Sequence, residues 1–181
     1  FSFEEAGIVP DLVCLSKSIS GIGLPMALVL LRPHLDVWKP GEHNGTFRGQ
    51  NLAFVAGQGA LAYWRDDRFE RETVRKGELA RTLLQGIERR YPGTVTGVRG
   101  RGLILGLELD PPMLGAAVAR AAFERGLMIE PVGEQDEVVK ILPPLILTDE
   151  QIAEGVEIIE RSLVACLAER ENVAIQAVEA S

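Results

Sequence analysis

Cysteine, histidine and basic charge are all scarce in this sequence, and each shortage removes a class of function. The two cysteines are Cys14, inside an apolar run, and Cys166, inside a helical pattern. So few exclude a disulfide framework and predict two buried thiols in a reduced, cytoplasmic setting. His34 and His43 are the only histidines, so no Cys/His spacing suited to zinc exists and no metal is expected. Acids outnumber bases, 26 to 19, for a formal net charge of -7. Nucleic-acid binding needs a basic face, and the arginines here are scattered among acids, so small molecules are the expected partners, with no nucleic acid. No apolar run is long enough to span a bilayer, so no membrane partner is expected either. The chain opens without Met and shows no basic stretch followed by an apolar one. Internal repeats and low-complexity segments are missing as well.

What is present is a chain of 181 residues, 46% apolar, enough for one domain or two small ones. A chain of this size buries roughly 70% of the surface its unfolded form exposes, so a real core is possible.

The most distinctive stretch runs from Leu12 to Leu31, where Lys17 stands between two apolar runs. Residues 11–16 and 26–31, dense in Leu and Val and bounded by Pro, Gly and Ser, read as short buried strands. The connection between them is too short for a parallel crossover, which needs a dozen or more residues, so they are expected to pair antiparallel with Lys17 at the open end of the first. A lysine so placed has two readings. Its stem can cover apolar surface while the ammonium stays in water. Alternatively, partial desolvation frees a neutral amine, which can add to a carbonyl carbon. Spacing alone leaves both open. The turn at 18–25 carries Gly21 and Gly23, which suit either a plain hairpin connection or close approach of main chain to a ligand.

Residues 40–49 form a turn-rich loop leading into an apolar helix over 51–64. Gly-Thr-Phe-Arg-Gly before that helix offers free N–H groups, the Thr46 hydroxyl and Arg48, which suits a phosphate, although Gly-Thr before a helix also serves as an ordinary cap. Phe69, Thr73, Lys76, Ala80, Leu83, Ile87 and Tyr91 recur every three or four residues, so 67–91 reads as one helix with a single inner stripe, stopped by Pro92 and Gly93. Strands are expected at 95–99 and 103–109 around an Arg-Gly-Arg-Gly turn, a helix at 114–125 ended by Gly126, and strands at 127–131 and 138–142. Thr148-Asp149-Glu150-Gln151 matches a capping box, and Ile152, Val156, Ile159, Leu163 and Leu167 give the following helix its buried stripe. Residues 170–181 read as a frayed tail. Two helices against a small sheet make the second half an α+β unit.

Two words carry a resemblance: Gly-Ile-Val-Pro-Asp-Leu-Val-Cys-Leu-Ser-Lys-Ser-Ile-Ser-Gly-Ile-Gly-Leu-Pro, and Gly-Glu-His-Asn-Gly-Thr-Phe-Arg-Gly-Gln-Asn-Leu-Ala. The chain resembles the class III (subgroup II) pyridoxal phosphate aminotransferases from Phe1 to about Leu167. The resemblance implies an α/β fold: the C-terminal part of the fold type I transferases, with the end of the large mixed-sheet domain over 1–66, an interdomain helix over 67–91 and a small α+β domain over 92–181. It implies pyridoxal 5'-phosphate as cofactor, Lys17 as the catalytic lysine that holds it, and Thr46 as a residue reaching the phosphate of a partner subunit's cofactor in a homodimer. Glu42, His43, Asn44 and Arg48 are expected to be loop residues, His43 without an acid-base role. The activity implied is transfer of an amino group from glutamate to aspartate 4-semialdehyde, a step toward ectoine. An ornithine or 4-aminobutyrate type, or a silent remnant that only dimerises, is the alternative. Family members are more than twice as long and supply the aspartate facing the cofactor's ring nitrogen from sequence upstream of Phe1, so this chain alone is expected to be inactive or nearly so. At Lys140, where many relatives carry a carboxylate-binding arginine, a lysine offers a point charge in place of a planar fork. A solvated strand residue is an equal reading there.

Overall fold

The computed structural model describes residues 1–179, which divide into two compact units, Phe1–Phe69 and a second that begins at Glu70. In the first, β1 (Leu12–Leu15) and β2 (Leu28–Leu31) form a two-stranded antiparallel ribbon with Leu12 opposite Leu31 and Leu15 opposite Leu28. The pairing is the expected one, but the burial is not. Leu12 is 55% exposed and Val29 57%, and Cys14 is exposed rather than buried. The physical reason is the ribbon's width: no third strand pairs with it among the described residues, so both edges stay open and Val13, Leu15, Leu28 and Leu31 reach only half-burial.

A 3-10 turn at Lys17–Ser20 follows β1 and packs against α1 (Asn51–Leu61), which ends in a further 3-10 turn at Ala62–Trp64 rather than running as one helix to residue 64. Glycine makes that packing possible. A Cβ on Gly21 would stand 2.7 Å from the Ala60 Cβ, and one on Gly57 would stand 3.0 Å from the Met26 sulfur. Full burial in this unit reaches only Ser20, Ala53 and Gly57 among the described residues. Phe1 and Phe3 stack on each other, ring centroids 5.1 Å apart, with Phe1 itself 58% exposed.

The second unit has a true core. Helix α2 (Arg68–Arg90) turns Lys76, Gly77, Ala80, Leu84 and Ile87 inward; Lys76, Ala80 and Ile87 are members of the expected stripe, Gly77 joins them, and Leu84 is buried where Leu83 was expected, with Leu83 half-buried beside it. Strands β3 (Val95–Arg101), β4 (Ile104–Leu109), β5 (Glu130–Val132) and β6 (Val138–Ile141) form an antiparallel sheet in the order β3-β4-β6-β5. Strand β4 alternates as a half-buried strand should, with Leu105, Leu107 and Leu109 in the core and Ile104 out. The Arg-Gly-Arg-Gly word is mostly strand: Arg101 pairs with Ile104, so the turn is Gly102-Leu103 alone. Helices α3 (Leu114–Glu124) and α4 (Asp149–Glu179) complete the layer. Three helices therefore cover the sheet, where the second half was expected to use two, because the buried face of α2 joins the same core.

The capping box is present as drawn from the sequence. The Thr148 N–H donates to Gln151 Oε1 at 3.0 Å and the Gln151 N–H to Thr148 Oγ1 at 3.3 Å. Its stripe is buried through Ile152, Val156, Ile159 and Leu163. The helix continues to Glu179, so the frayed tail expected from 170 is corrected: residues 170–179 are helical, and Ala180 and Ser181 lie outside the described residues. Apolar residues in this stretch, Val173 and Ile175, are exposed, so turn-to-turn hydrogen bonding rather than burial carries the helix there. No described helix is long and apolar enough to cross a membrane.

Candidate active site

Strand β1 delivers Lys17 to the start of the 3-10 turn in an unusual backbone state. Its φ is +64°, in the left-handed region that a residue with a Cβ enters at a cost. Such strain persists only where the surroundings hold it, and it concentrates at functional positions. Here the turn is pinned at its far end by Gly21, whose N–H donates to the Ser18 carbonyl at 2.8 Å, and by the close fit of that glycine to Ala60. Ser20, fully buried in the same turn, has a hydroxyl oxygen without a hydrogen-bond partner. Lys17 itself is exposed, so the expected setting against a buried sheet is not met: the ribbon beneath it is open.

Lys17 and Thr46 line one open cleft of about 840 Å³, together with Gly23, Met26, Gln50 and Phe54. The two residues singled out from sequence are thus brought together within one chain. The residues flanking Thr46 close the loop on itself. Asn44 Nδ2 donates to the Gly41 carbonyl at 2.8 Å, the Lys39 N–H donates to Glu42 Oε2 at 2.8 Å, and an Arg48 guanidinium N–H donates to the His43 carbonyl. The His43 ring stacks on Trp38, centroids 4.8 Å apart. Phe47, 99% exposed, and Phe54 also border the cleft; sequence reading had passed over both, together with Gln50, because apolar and amide residues at a helix start look like ordinary packing and capping. Gln50 precedes α1 without a side-chain cap hydrogen bond to the helix's first N–H groups.

These residues fit part of a pyridoxal phosphate site. The Lys17 amine suits the aldehyde end, and the Thr46 hydroxyl with the uncapped start of α1 suits a phosphate. The cleft lining contains no carboxylate, so it offers nothing for a pyridinium nitrogen.

Lys140 lies elsewhere, in the second unit. It stands directly across from Glu130 in the β5–β6 ladder and forms an ion pair with it, which holds the Glu130 carboxyl below its usual range through the hydrogen bond from Lys140. Two further exposed networks tie α2 to α4. Arg75 bridges Glu72 and Asp149, contacting Asp149 through 2.6 and 2.9 Å bonds, and Arg90 meets Glu160 through 2.5 and 2.6 Å bonds. Hydrogen bonds from Arg75 hold the carboxyls of both Glu72 and Asp149 below the usual range. Lys76, nearly buried, donates to the Leu145 carbonyl at 3.3 Å. The Cys166 thiol is pushed up by burial. No cluster of His, Cys, Asp and Glu able to hold a metal occurs among the described residues.

Comparison with known proteins gives the family. Residues 1–163 match the family model described as Aminotransferase class-III. A diaminobutyrate--2-oxoglutarate transaminase of Bordetella parapertussis is 53% identical over 176 residues, 96% of this chain and 40% of that protein. A protein of the same name from Virgibacillus pantothenticus is 51% identical over 164 residues, 90% of this chain and 39% of that one. Among solved structures, an acetylornithine aminotransferase from Elizabethkingia anophelis aligns with a TM-score of 0.80 at 28% identity, covering 91% of this chain and 43% of its own. The ornithine aminotransferase from Toxoplasma gondii does so at 0.80 and 29%, covering 93% and 40%. The chain spans about 40% of the length of the curated relatives it matches. A family match over residues 1–163, with relatives near 50% identical covering 90–96% of the chain, makes the chain a member of the pyridoxal phosphate-dependent class III aminotransferase family.

Proposed function

We propose that this chain carries the lysine and part of the phosphate site of an aminotransferase that moves the amino group of L-glutamate to the aldehyde carbon of L-aspartate 4-semialdehyde, giving 2-oxoglutarate and L-2,4-diaminobutyrate. The observation that carries the reading is Lys17, held at φ +64° at the start of a turn on the wall of an open cleft. Bound pyridoxal phosphate would supply the electron sink for a carbanion at the substrate carbon. Lys17 would hold the cofactor through its amine, and once displaced by the amino donor would take the proton from the substrate carbon and deliver it to C4' of the cofactor. Its exposure at the end of β1 leaves that amine free to swing. Thr46 and the start of α1 would anchor the phosphate of the partner's cofactor. Identity near 50% to two diaminobutyrate--2-oxoglutarate transaminases, against 29% or less to the ornithine and acetylornithine enzymes, supports this acceptor over an ornithine-type one. The enzyme is proposed to be a cytoplasmic homodimer in which Thr46 serves the partner's cofactor.

The test is to incubate the purified chain with pyridoxal phosphate, reduce with borohydride, and map the fixed cofactor by peptide mass. Selective, saturable label on Lys17, lost in Lys17→Ala, is expected. Label spread evenly over Lys39, Lys76 and Lys140 would sink the assignment. Turnover by the chain alone is not expected, because no acid for the ring nitrogen lines the cleft. Mixed dimers of Lys17→Ala and Thr46→Val chains of the relatives' full length test the crossing: one wild-type site per dimer forms if each threonine serves its partner's lysine, since both lesions then fall in the other site.

A further inference from the structure

Two serines among the described residues are fully buried, Ser20 and Ser162, with opposite outcomes. In α4 the Ser162 hydroxyl donates to the Ile158 carbonyl four residues back, at 2.8 Å, which is what a buried serine in a right-handed helix can do. The same step back from Ser20 leads to the Ser16 carbonyl, yet the Ser20 hydroxyl has no partner. Among the described residues it is the one buried side-chain oxygen or nitrogen in that condition. The cause lies between the two serines. Residues of a right-handed 3-10 turn keep φ at about −60°, and Lys17, at +64°, swings the Ser16–Lys17 peptide group out of that path. One backbone choice thus carries two costs, a left-handed residue with a Cβ and an orphaned buried hydroxyl. Packing holds it in place: Gly21 fits against Ala60, and the Ile19 carbonyl lies 3.4 Å from where a Gly57 Cβ would stand. This chain's own residues cover Ser20 completely, so no outside group can supply the bond while the turn keeps this arrangement.

A turn built for the left-handed arrangement alone gains nothing from that hydroxyl, since alanine would fill the place without an orphan. The serine is useful only in an arrangement where it is bonded. We propose that Ser20 is a positioning residue for Lys17, and that capture of the cofactor aldehyde resets the turn; this rests on the reading of Lys17 as the lysine that holds pyridoxal phosphate. The neutral Lys17 amine adds to the aldehyde carbon, a C=N bond replaces the C=O bond, and one water leaves. With the amine exposed to water the turn is left-handed. With the amine fixed, Lys17 becomes right-handed, the Ser16 carbonyl comes round to the Ser20 hydroxyl, and both costs are relieved together. Strain held at a functional residue and released when that residue is used adds to capture.

The test compares the purified wild-type chain with Ser20→Ala and Ser20→Thr. Capture is read as label on Lys17 against pyridoxal phosphate concentration, fixed by borohydride, whose hydride adds to the carbon of the C=N bond. Thermal unfolding is followed by the fluorescence of Trp38 and Trp64, the only tryptophans, both in the first unit. Ser20→Ala is expected to unfold at a higher temperature, because a buried orphan is gone. It is nevertheless expected to capture the cofactor roughly tenfold more weakly, because the bond made on capture is gone too. Ser20→Thr keeps the hydroxyl and is expected to bring capture back toward the wild-type value. In chain labelled with carbon-13 lysine, the Lys17 Cα resonance, identified by its loss in Lys17→Ala, is expected to move to the right-handed range on capture in the wild type. A serine with only a packing role would lower stability and capture together in Ser20→Ala, and that result would overturn the proposal. So would unchanged capture in Ser20→Ala, or a Lys17 Cα resonance that stays left-handed in the labelled wild-type chain. An unlabelled Lys17 in the wild type would sink the lysine assignment itself, and this inference with it.

Discussion

The two units are built from equally apolar sequence and end in opposite states. In the second, Leu84, Leu105, Leu107, Val139 and Leu163 are no more than 2% exposed and belong to one contiguous core. In the first, Leu12, Val29, Leu52, Val55 and Leu61 are each more than 50% exposed. The difference lies in how many layers each unit can stack. A four-stranded sheet with three helices has enough surface to cover its own apolar faces, whereas a two-stranded ribbon and one helix have not. An amphipathic helix can be satisfied by one neighbour. Helix α1, apolar on more than one face, needs two.

The sharpest way to break the comparison is a matched pair of truncations. Leu84→Ala, in the second unit, is expected to lower unfolding free energy by about 2–5 kcal/mol, through lost transfer energy and a cavity. Leu30→Ala, at 45% exposure in the first, should change it by about 0.5 kcal/mol or less. Denaturant unfolding followed by circular dichroism reads both, and equal effects would mean that the first unit also has a core. A smaller effect tests the cap of α4: Thr148→Ala should cost about 1 kcal/mol by the same measurement, because the Gln151 N–H loses its acceptor. Smaller still and of opposite sign, Gly155→Ala should stabilise by roughly 0.5–1 kcal/mol, since the added methyl meets open space and the helix gains propensity.

The weakest expected effect is on pH dependence. Glu72, Asp149 and Glu130 have carboxyls held low by Arg75, Arg75 and Lys140, so folding favours their ionised forms. Their contribution is fully present above the ordinary carboxylate range, and it is lost as pH falls through the lowered folded values. All three are solvent-exposed, so salt should weaken the effect. Asp149→Asn should flatten the acid limb of a stability-against-pH curve at low ionic strength, and an unchanged limb would remove Arg75 and Asp149 from the account.

Legibility followed the same division. Helix α4 could be read to the residue at its start because a capping box and a buried stripe are local signals, and both physical partners lie within a few residues. Its end could not, because residues 170–179 lack a stripe and only continuity of the backbone marks them as helix. The β1–β2 pairing was legible from loop length, yet its burial was misjudged: an apolar run reports what a strand prefers to face, not what is available to face it. Cys14 failed with it, being a neighbour in the same open ribbon. In α2 the period placed Lys76, Ala80 and Ile87 correctly and missed only Leu84, since Leu83 and Leu84 are both leucine and the partner surface chooses between them.

The candidate site divides likewise. Lys17 and Thr46 stand out in the sequence, each inside a word whose residue types are chemically specific, and the family follows from those words and from the length of the match. Order and type of elements along the chain were set by local propensity and period, which act over a few residues. Tertiary structure alone decided that Lys17 takes a left-handed backbone, that Thr46 joins it on one cleft, and that Lys140 is held by Glu130 across the β5–β6 ladder. Those outcomes depend on surfaces meeting across tens of residues, such as Gly21 against Ala60, and no short stretch of sequence contains both sides of such a contact.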